Sequence, residues 1–204
     1  MNALRKSALA LGITAVMAQP IAALAEATDT PMFSPKQMTD WLHLVMSSDR
    51  TVYTRLIVNR LQNKEKVIKA SEHFEDDKAL VLPAQMFRFG AEMVGESTDD
   101  FSYSLLSEWP INKQNAPRTD AEKTGLAYIA ANKGENYYTT EELGGQKYFT
   151  AVYADTAVAP ACVTCHNDHK DTQRSDFTLG DVMGGVVIRV PISRSAPAGR
   201  LHAV

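Results

Sequence analysis

Cysteine is almost missing from this 204-residue chain, which has two in all, and that scarcity excludes a small fold stapled by disulfides. Charge of one sign never accumulates: 21 basic against 24 acidic side chains leave a net charge of −3. Without a basic stripe there is no electrostatic footprint for nucleic acid or for an anionic membrane surface. Glycine and proline, 11 and 9 residues, are too few for a collagen-like or low-complexity chain. Long apolar runs are lacking as well. Ser7 to Met17 is uncharged and mostly apolar but too short to cross a bilayer, and no later stretch approaches that length. The remaining composition, 45% apolar and 22% charged, is that of one globular domain with a packed core.

The start of the chain has the form of a secretory signal. Arg5 and Lys6 supply a positive region, the apolar run comes next, and Ala23-Leu24-Ala25 sets small residues where a signal peptidase reads, so cleavage is expected before Glu26. Residues 1–25 are thus a signal peptide, 26–192 one domain and 193–204 a loosely ordered tail. The mature protein is expected to be soluble, periplasmic and not membrane-spanning.

Helices come first in the domain. Ser34-Pro35 reads as an N-cap with Pro at the first helical position, and Met38, Trp41, Leu42, Val45 and Met46 recur at helical spacing. The pattern continues through Val52, Leu56, Ile57 and Leu61 to about Asn63, with Ser47-Ser48-Asp49 the point where a break would fall. Pro83 to Val94 predicts a second helix ended by Gly95. From Phe101 the period changes to two, as in a half-buried strand. Thr119 with Glu122 forms a capping box for a helix over Asp120 to Ala131. Tyr137 to Glu141 and Lys147 to Tyr153 predict strands joined at Gly144-Gly145, and Val182 to Pro191 a last strand. The fold class is α+β, with antiparallel sheet and helices.

Both cysteines lie in Cys162-Val163-Thr164-Cys165-His166, the CxxCH pattern of covalent haem attachment. Thiols at this spacing reach the two vinyl groups of one haem, and the adjacent imidazole coordinates the iron. At this chain's own residue frequencies the pattern arises by chance roughly once in two thousand such sequences. A thioredoxin-like dithiol would want the motif opening a helix after a strand, whereas here it comes after DTAVAPA and runs into turn-prone NDHKDTQRSD. A structural zinc would need His166 and His169 to complete a four-ligand site from one tight segment. A disulfide across two residues closes too short a loop to stabilise much. One covalent haem c, in a ring-sized hollow beside these side chains, is the cofactor expected.

The text around the motif resembles bacterial extracytoplasmic c-type haem-binding domains of PAS-like fold, found alone and as sensor input modules, and long known as a domain of unknown function. The resemblance rests on LPAQMFR at Leu82 to Arg88, LLSEWPIN at Leu105 to Asn112, Asn115, Pro117, Glu122, and CVTCHNDH to GDVMGGVVI from Cys162 to Ile188. It implies a central antiparallel sheet flanked by helices, with a long N-terminal helical region. It also implies thioethers at Cys162 and Cys165, His166 as proximal ligand, and a distal ligand that varies among members. A third cysteine is lacking here, so the distal candidates are Met46 first, His43 second, and an open or water-filled position close behind. Met46 has a competing role as core filling. Trp109, Pro110, Asn112 and Asn115 are candidates for the haem edge, and Arg50, Tyr53 and Arg88 for its propionates, against ordinary turn and solvated ion-pair roles.

A haem admits two functions: a redox or small-gas sensing and binding module, which requires a signalling partner, and a periplasmic electron-transfer cytochrome, which requires a redox partner. A gas is the candidate small ligand. Catalysis has no recognisable acid–base pair beside the motif to support it.

Overall fold

The computed structural model describes residues 33–192; the signal segment assigned to residues 1–25 and the tail assigned to 193–204 lie outside the described residues. Helix α1 (Pro35–Val52) starts where the sequence places it: Ser34 accepts from Gln37 N, and Gln37 reaches back to the Ser34 N–H. No break occurs at Ser47-Ser48-Asp49. The Ser47 and Ser48 hydroxyls both donate back to the Leu44 carbonyl and so stay inside the helix. The chain continues helically from Tyr53 to Lys64, wound as a π-helix.

The apolar positions of α1 divide between two faces. Leu42 and Met46 pack against the sheet, while Trp41, Leu44 and Val45 are exposed. After a two-residue parallel ladder of β1 (Ala70–Ser71) and β2 (Leu80–Val81), α2 runs over Pro83–Ser97. Gly95 does not end it, because helical turns continue to Ser97 and the chain turns extended at Thr98.

Strands β3 (Ser102–Leu106), β4 (Tyr137–Leu143), β5 (Gln146–Thr156) and β6 (Val182–Pro191) form one antiparallel sheet in the order β3-β6-β5-β4. The α+β class read from the sequence is therefore correct. β4 and β5 meet in a tight turn at Gly144 and Gly145, whose φ values of 59° and 80° belong to the left-handed region that favours glycine. Helix α3 (Asp120–Ala131) carries the expected Thr119–Glu122 capping box.

Alternation along β5 and β6 makes two cores. Val152 and Val187 face Leu126 and Ile129 of α3, while Ala151, Tyr153, Val186 and Ile188 face Phe87 of α2 together with Leu42 and Met46 of α1. β6 is buried along nearly its whole length because it lies between β3 and β5. Gly184 belongs there for lack of space: a Cβ would sit 2.4 Å from the Leu106 carbonyl oxygen.

One polar cluster is built into this framework. Arg189 of β6 donates from Nε to Glu141 and from Nη2 to Glu122, both at 2.7 Å, with side-chain exposures of 13%, 10% and 7%. Burial alone would raise both carboxyls. The backbone N–H groups of Arg118 and Thr119, the Thr150 hydroxyl and the Arg189 guanidinium outweigh it, so both fall below their ordinary range. Carboxyls lowered on folding stabilise the protein above their unfolded pKa, and that contribution disappears as pH falls through and below about 4. Arg189→Met, which leaves two buried carboxylates unpaired, is expected to cost about 3–5 kcal/mol in denaturant unfolding at neutral pH, with the difference shrinking in acid. A loss under about 1 kcal/mol would mean that water screens the cluster.

Candidate functional site

Strand β5 hands the chain directly to the CxxCH segment. At Asp155/Thr156 the β5–β6 register shifts, Asp155 opposing Gly184 and Thr156 opposing Val182. Such an irregularity bends a strand and re-aims the residues beyond it. Only Ala157, Val158 and Ala159 intervene before α4 (Pro160–Asp168), which begins with Pro at its first position. The motif therefore does open a helix after a strand. The turn-rich text on either side of it concealed a nine-residue helix, so the local context does not count against a redox dithiol as the sequence suggested.

On α4, Cys162 and Cys165 are three apart and share a face. Both thiols are free. Cys162 is half-buried against Phe177, Ala157 and Met183, whereas Cys165 is exposed. Although Cys165 reaches solvent, surrounding protein still desolvates its thiolate, and the charges of Cys162, Glu72 and Asp168 add to that, so its thiol is pushed up. A redox-active dithiol needs the opposite shift.

His166 comes next on the same helix, half-buried, with its ring edge-on to Phe177 at 6.1 Å and 89°. Burial and the nearby Arg50 and His169 lower its pKa, with Asp155 opposing them. The imidazole is neutral at neutral pH and has no hydrogen-bond partner among the described residues, the state required of a metal ligand. His169 is occupied instead, its Nδ1 accepting from the Asp171 N–H.

The loop after α4 is fastened by a reciprocal amide pair: Asn167 donates to the Phe177 carbonyl and accepts from the Phe177 N–H. Arg174 lies over the rings of Trp109 and Phe177, 4.7 and 4.4 Å from their centroids. Trp109 packs against the same buried cluster as Cys162, and Pro110 accepts from Gln173. Asn112 is used as a local cap for Gln114. Asn115 lines a separate groove.

The π-helical segment that continues α1 packs against α4. Arg55 ties the π-helical segment to the α4 approach by donating to the Val158 carbonyl. Arg50 is ion-paired with Asp155, each side chain 15% exposed, so its role is not a solvated one. Its Nε is buried and has no hydrogen-bond partner, an unused donor. Arg50, His43, Ser47 and Thr51 line a cavity of about 90 Å³ with Asp155, Val158 and Phe87.

Of the two distal candidates, His43 lines this cavity. Its ring stacks on Tyr153 at 4.1 Å and 7°, and burial lowers its pKa against the opposing charges of Asp155 and Asp40. Met46 instead packs into the sheet-facing core with Tyr153, Val186 and Ile188. Tyr53 and Arg88 are engaged elsewhere, with the Val81 carbonyl and with Glu92. Asp155, the residue that both histidines sense, escaped sequence reading because a lone Asp before a loop gives no signal.

The family model named Tll0287 matches residues 14–191, nearly the whole chain. The chain belongs to the Tll0287-like family. The crystal structure of a cyanobacterial heme protein, Tll0287, is similar to this Tll0287-like chain in fold: the TM-score is 0.52 over 80% of this chain and 100% of that one, at 12% sequence identity. No curated protein matches. No helix among the described residues is long and apolar enough to cross a membrane.

Does this Tll0287-like site fit a haem? Its donor set does: two free thiols on one helical face, a neutral imidazole beside them, and an unpaired guanidinium N–H of Arg50 able to meet a propionate. The cavity beside Arg50 and His43 is not the ring-sized hollow expected beside Cys162, Cys165 and His166, none of which lines it. At about 90 Å³ it is far below the ~300–1,000 Å³ of ordinary ligand pockets.

The raised Cys165 thiol yields a test on the cofactor-free chain. Alkylation of Cys165 by iodoacetamide is expected to keep accelerating with pH through the ordinary thiol range instead of levelling off within it. A rate already at its plateau near pH 7 would restore the redox-dithiol alternative.

Proposed function

We propose that this chain is an exported, periplasmic monohaem c-type protein that acts as a redox or small-gas binding module. Cys162 and Cys165 hold the haem as thioethers and His166 is the proximal iron ligand. The observation that carries the reading is the donor arrangement on α4: paired free thiols at i and i+3, then an imidazole that burial keeps neutral and unpartnered. Likeness in fold to a cyanobacterial heme protein supports it. The signal-like segment before Glu26 supports export.

Haem supplies reversible iron oxidation and binding of diatomic gases, with the axial ligands and pocket polarity choosing between them. The chain's own residues set those conditions. Phe177 fixes the plane of His166 from the edge, and the Asn167–Phe177 amide pair holds the loop that carries Phe177. Arg50 stands ready to neutralise a propionate through its unused Nε. His43 is the sixth-position residue we put ahead of Met46. It is kept neutral and is held by stacking on Tyr153, whose hydroxyl donates to Asp40 at 2.8 Å, whereas Met46 would have to leave the core. The cavity beside His43 has room for a diatomic molecule or a few waters, with the Ser47 and Thr51 hydroxyls on its wall. Electron transfer is the second reading, favoured by the exposure of Cys165, since a haem edge open at the surface can meet a redox partner.

The exported protein is expected to begin at Glu26, to gain the mass of one haem and to keep its red colour through acid-acetone extraction. A colourless protein, or one that releases its pigment, sinks the assignment. His43→Ala is expected to alter the ferric visible spectrum and Met46→Ala to leave it unchanged. If neither changes it, the sixth position is open. Rapid carbon monoxide binding by the ferrous form marks the gas-binding role, and inert six-coordinate iron with fast electron exchange marks the carrier.

A further inference from the structure

A groove among the described residues lies away from the thiols. It has a volume of about 400 Å³, within the ~300–1,000 Å³ range of small-molecule sites. One wall is α2, through Ala84, Arg88 and Ala91, and the other is edge strand β3 with the 114–118 loop. Its floor is the Arg189–Glu122 pair. Several residues conspicuous in the sequence that the haem site leaves unused meet here: Arg88, Leu105, Asn115 and Glu122.

The chemistry of the lining is unbalanced in one direction. Three guanidinium groups face two carboxylates, and both carboxylates are already occupied. Glu122 accepts from Arg189, from the Arg118 N–H and from the Thr119 N–H. Glu92 accepts from Arg88 at 3.0 Å. The donors are not used up in the same way. Among the described residues the Arg118 guanidinium has no partner, and neither do the Tyr103 hydroxyl and the side-chain amides of Gln114 and Asn115, all of which line the groove. Between these donors the walls are apolar, formed by Ala84, Ala91 and Ala116 with Leu105 and Leu106. A ligand that satisfies this surface brings oxygen acceptors with negative charge, together with a short carbon skeleton.

We propose that this groove is a binding site for a small organic carboxylate, with Arg118 taking the carboxylate in a charge-assisted pair and Tyr103 adding a neutral hydrogen bond. Arg88, whose side chain is 44% exposed, can turn a second nitrogen to the same anion without releasing Glu92. The site shares α2 with the haem-side cavity: Phe87 lines one and its neighbour Arg88 the other. A carboxylate bound here therefore presses on the helix that also bounds the His43 cavity.

Isothermal titration of the full-length protein as purified tests the site, with butyrate, succinate and benzoate as probes, butyramide as the uncharged match and sodium chloride at equal ionic strength. At least one carboxylate is expected to bind saturably and about tenfold or more tighter than the amide. Arg118→Gln is expected to weaken it by about tenfold and Tyr103→Phe by less. Both variants change side chains at the groove mouth or a lone hydroxyl, and their circular dichroism is expected to match the parent. Absence of binding by every carboxylate at millimolar concentration overturns the proposal. So does equal binding of the amide, equal competition by chloride, or an affinity unchanged in Arg118→Gln and in the Arg88→Gln, Arg118→Gln double variant.

Discussion

The ion pair between Arg50 and Asp155 joins the two halves of the chain at the point where the chemistry begins. Arg50 belongs to the last turn of α1, and Asp155 to the shifted register at the end of β5, just before the approach to α4. With both side chains mostly buried, separating them would strand a charge on each side, so α1 and the CxxCH helix are held at one relative position. His43 and His166 both lie within the reach of Asp155, and that common neighbour makes two residues far apart in sequence parts of one environment.

A second buried ion cluster does comparable structural work on the other face of the sheet. Glu122 caps α3, Glu141 comes from β4 and Arg189 from β6, so one guanidinium registers a helix against two strands. The two clusters divide the molecule. One fixes α1 and α4 around the histidines, and the other fixes α3 and the floor of the groove beside β3. Helix α2 touches both regions, through Phe87 and Arg88 on adjacent positions.

Much of this was legible in the residues wherever a local rule dominates. Ser34 and Gln37, and Thr119 and Glu122, set helix starts because a capping box is satisfied entirely within four residues. The glycine pair at 144–145 likewise carries its structure with it. Elements fixed by distant partners were less readable. Gly95 stays helical because nothing tertiary ends α2 there, and α4 forms although polar, turn-prone residues come after it, since Asn167, Arg55 and the β5 register hold it from outside. For the site, the CxxCH segment stood out in the sequence by its spacing alone, whereas its surroundings were spread over α1, β5 and a loop near Phe177. Met46 and His43, three apart, looked alike as candidates; which of them turned to the sheet depended on the rotation of α1, and that is set by Thr39 and Asp40 meeting Tyr153.

Helix α4 is only nine residues long and has no side chain capping its start, well under the length at which a lone helix persists in water. Its shape is borrowed from the strands and loop that grip it. The distance between the two sulfurs is consequently a property of the finished fold: before β5 and β6 have paired, the same five residues present a ribbon whose thiols can separate or approach freely. Whatever forms bonds to them meets either a fixed template or a pliable one, according to how far folding has advanced.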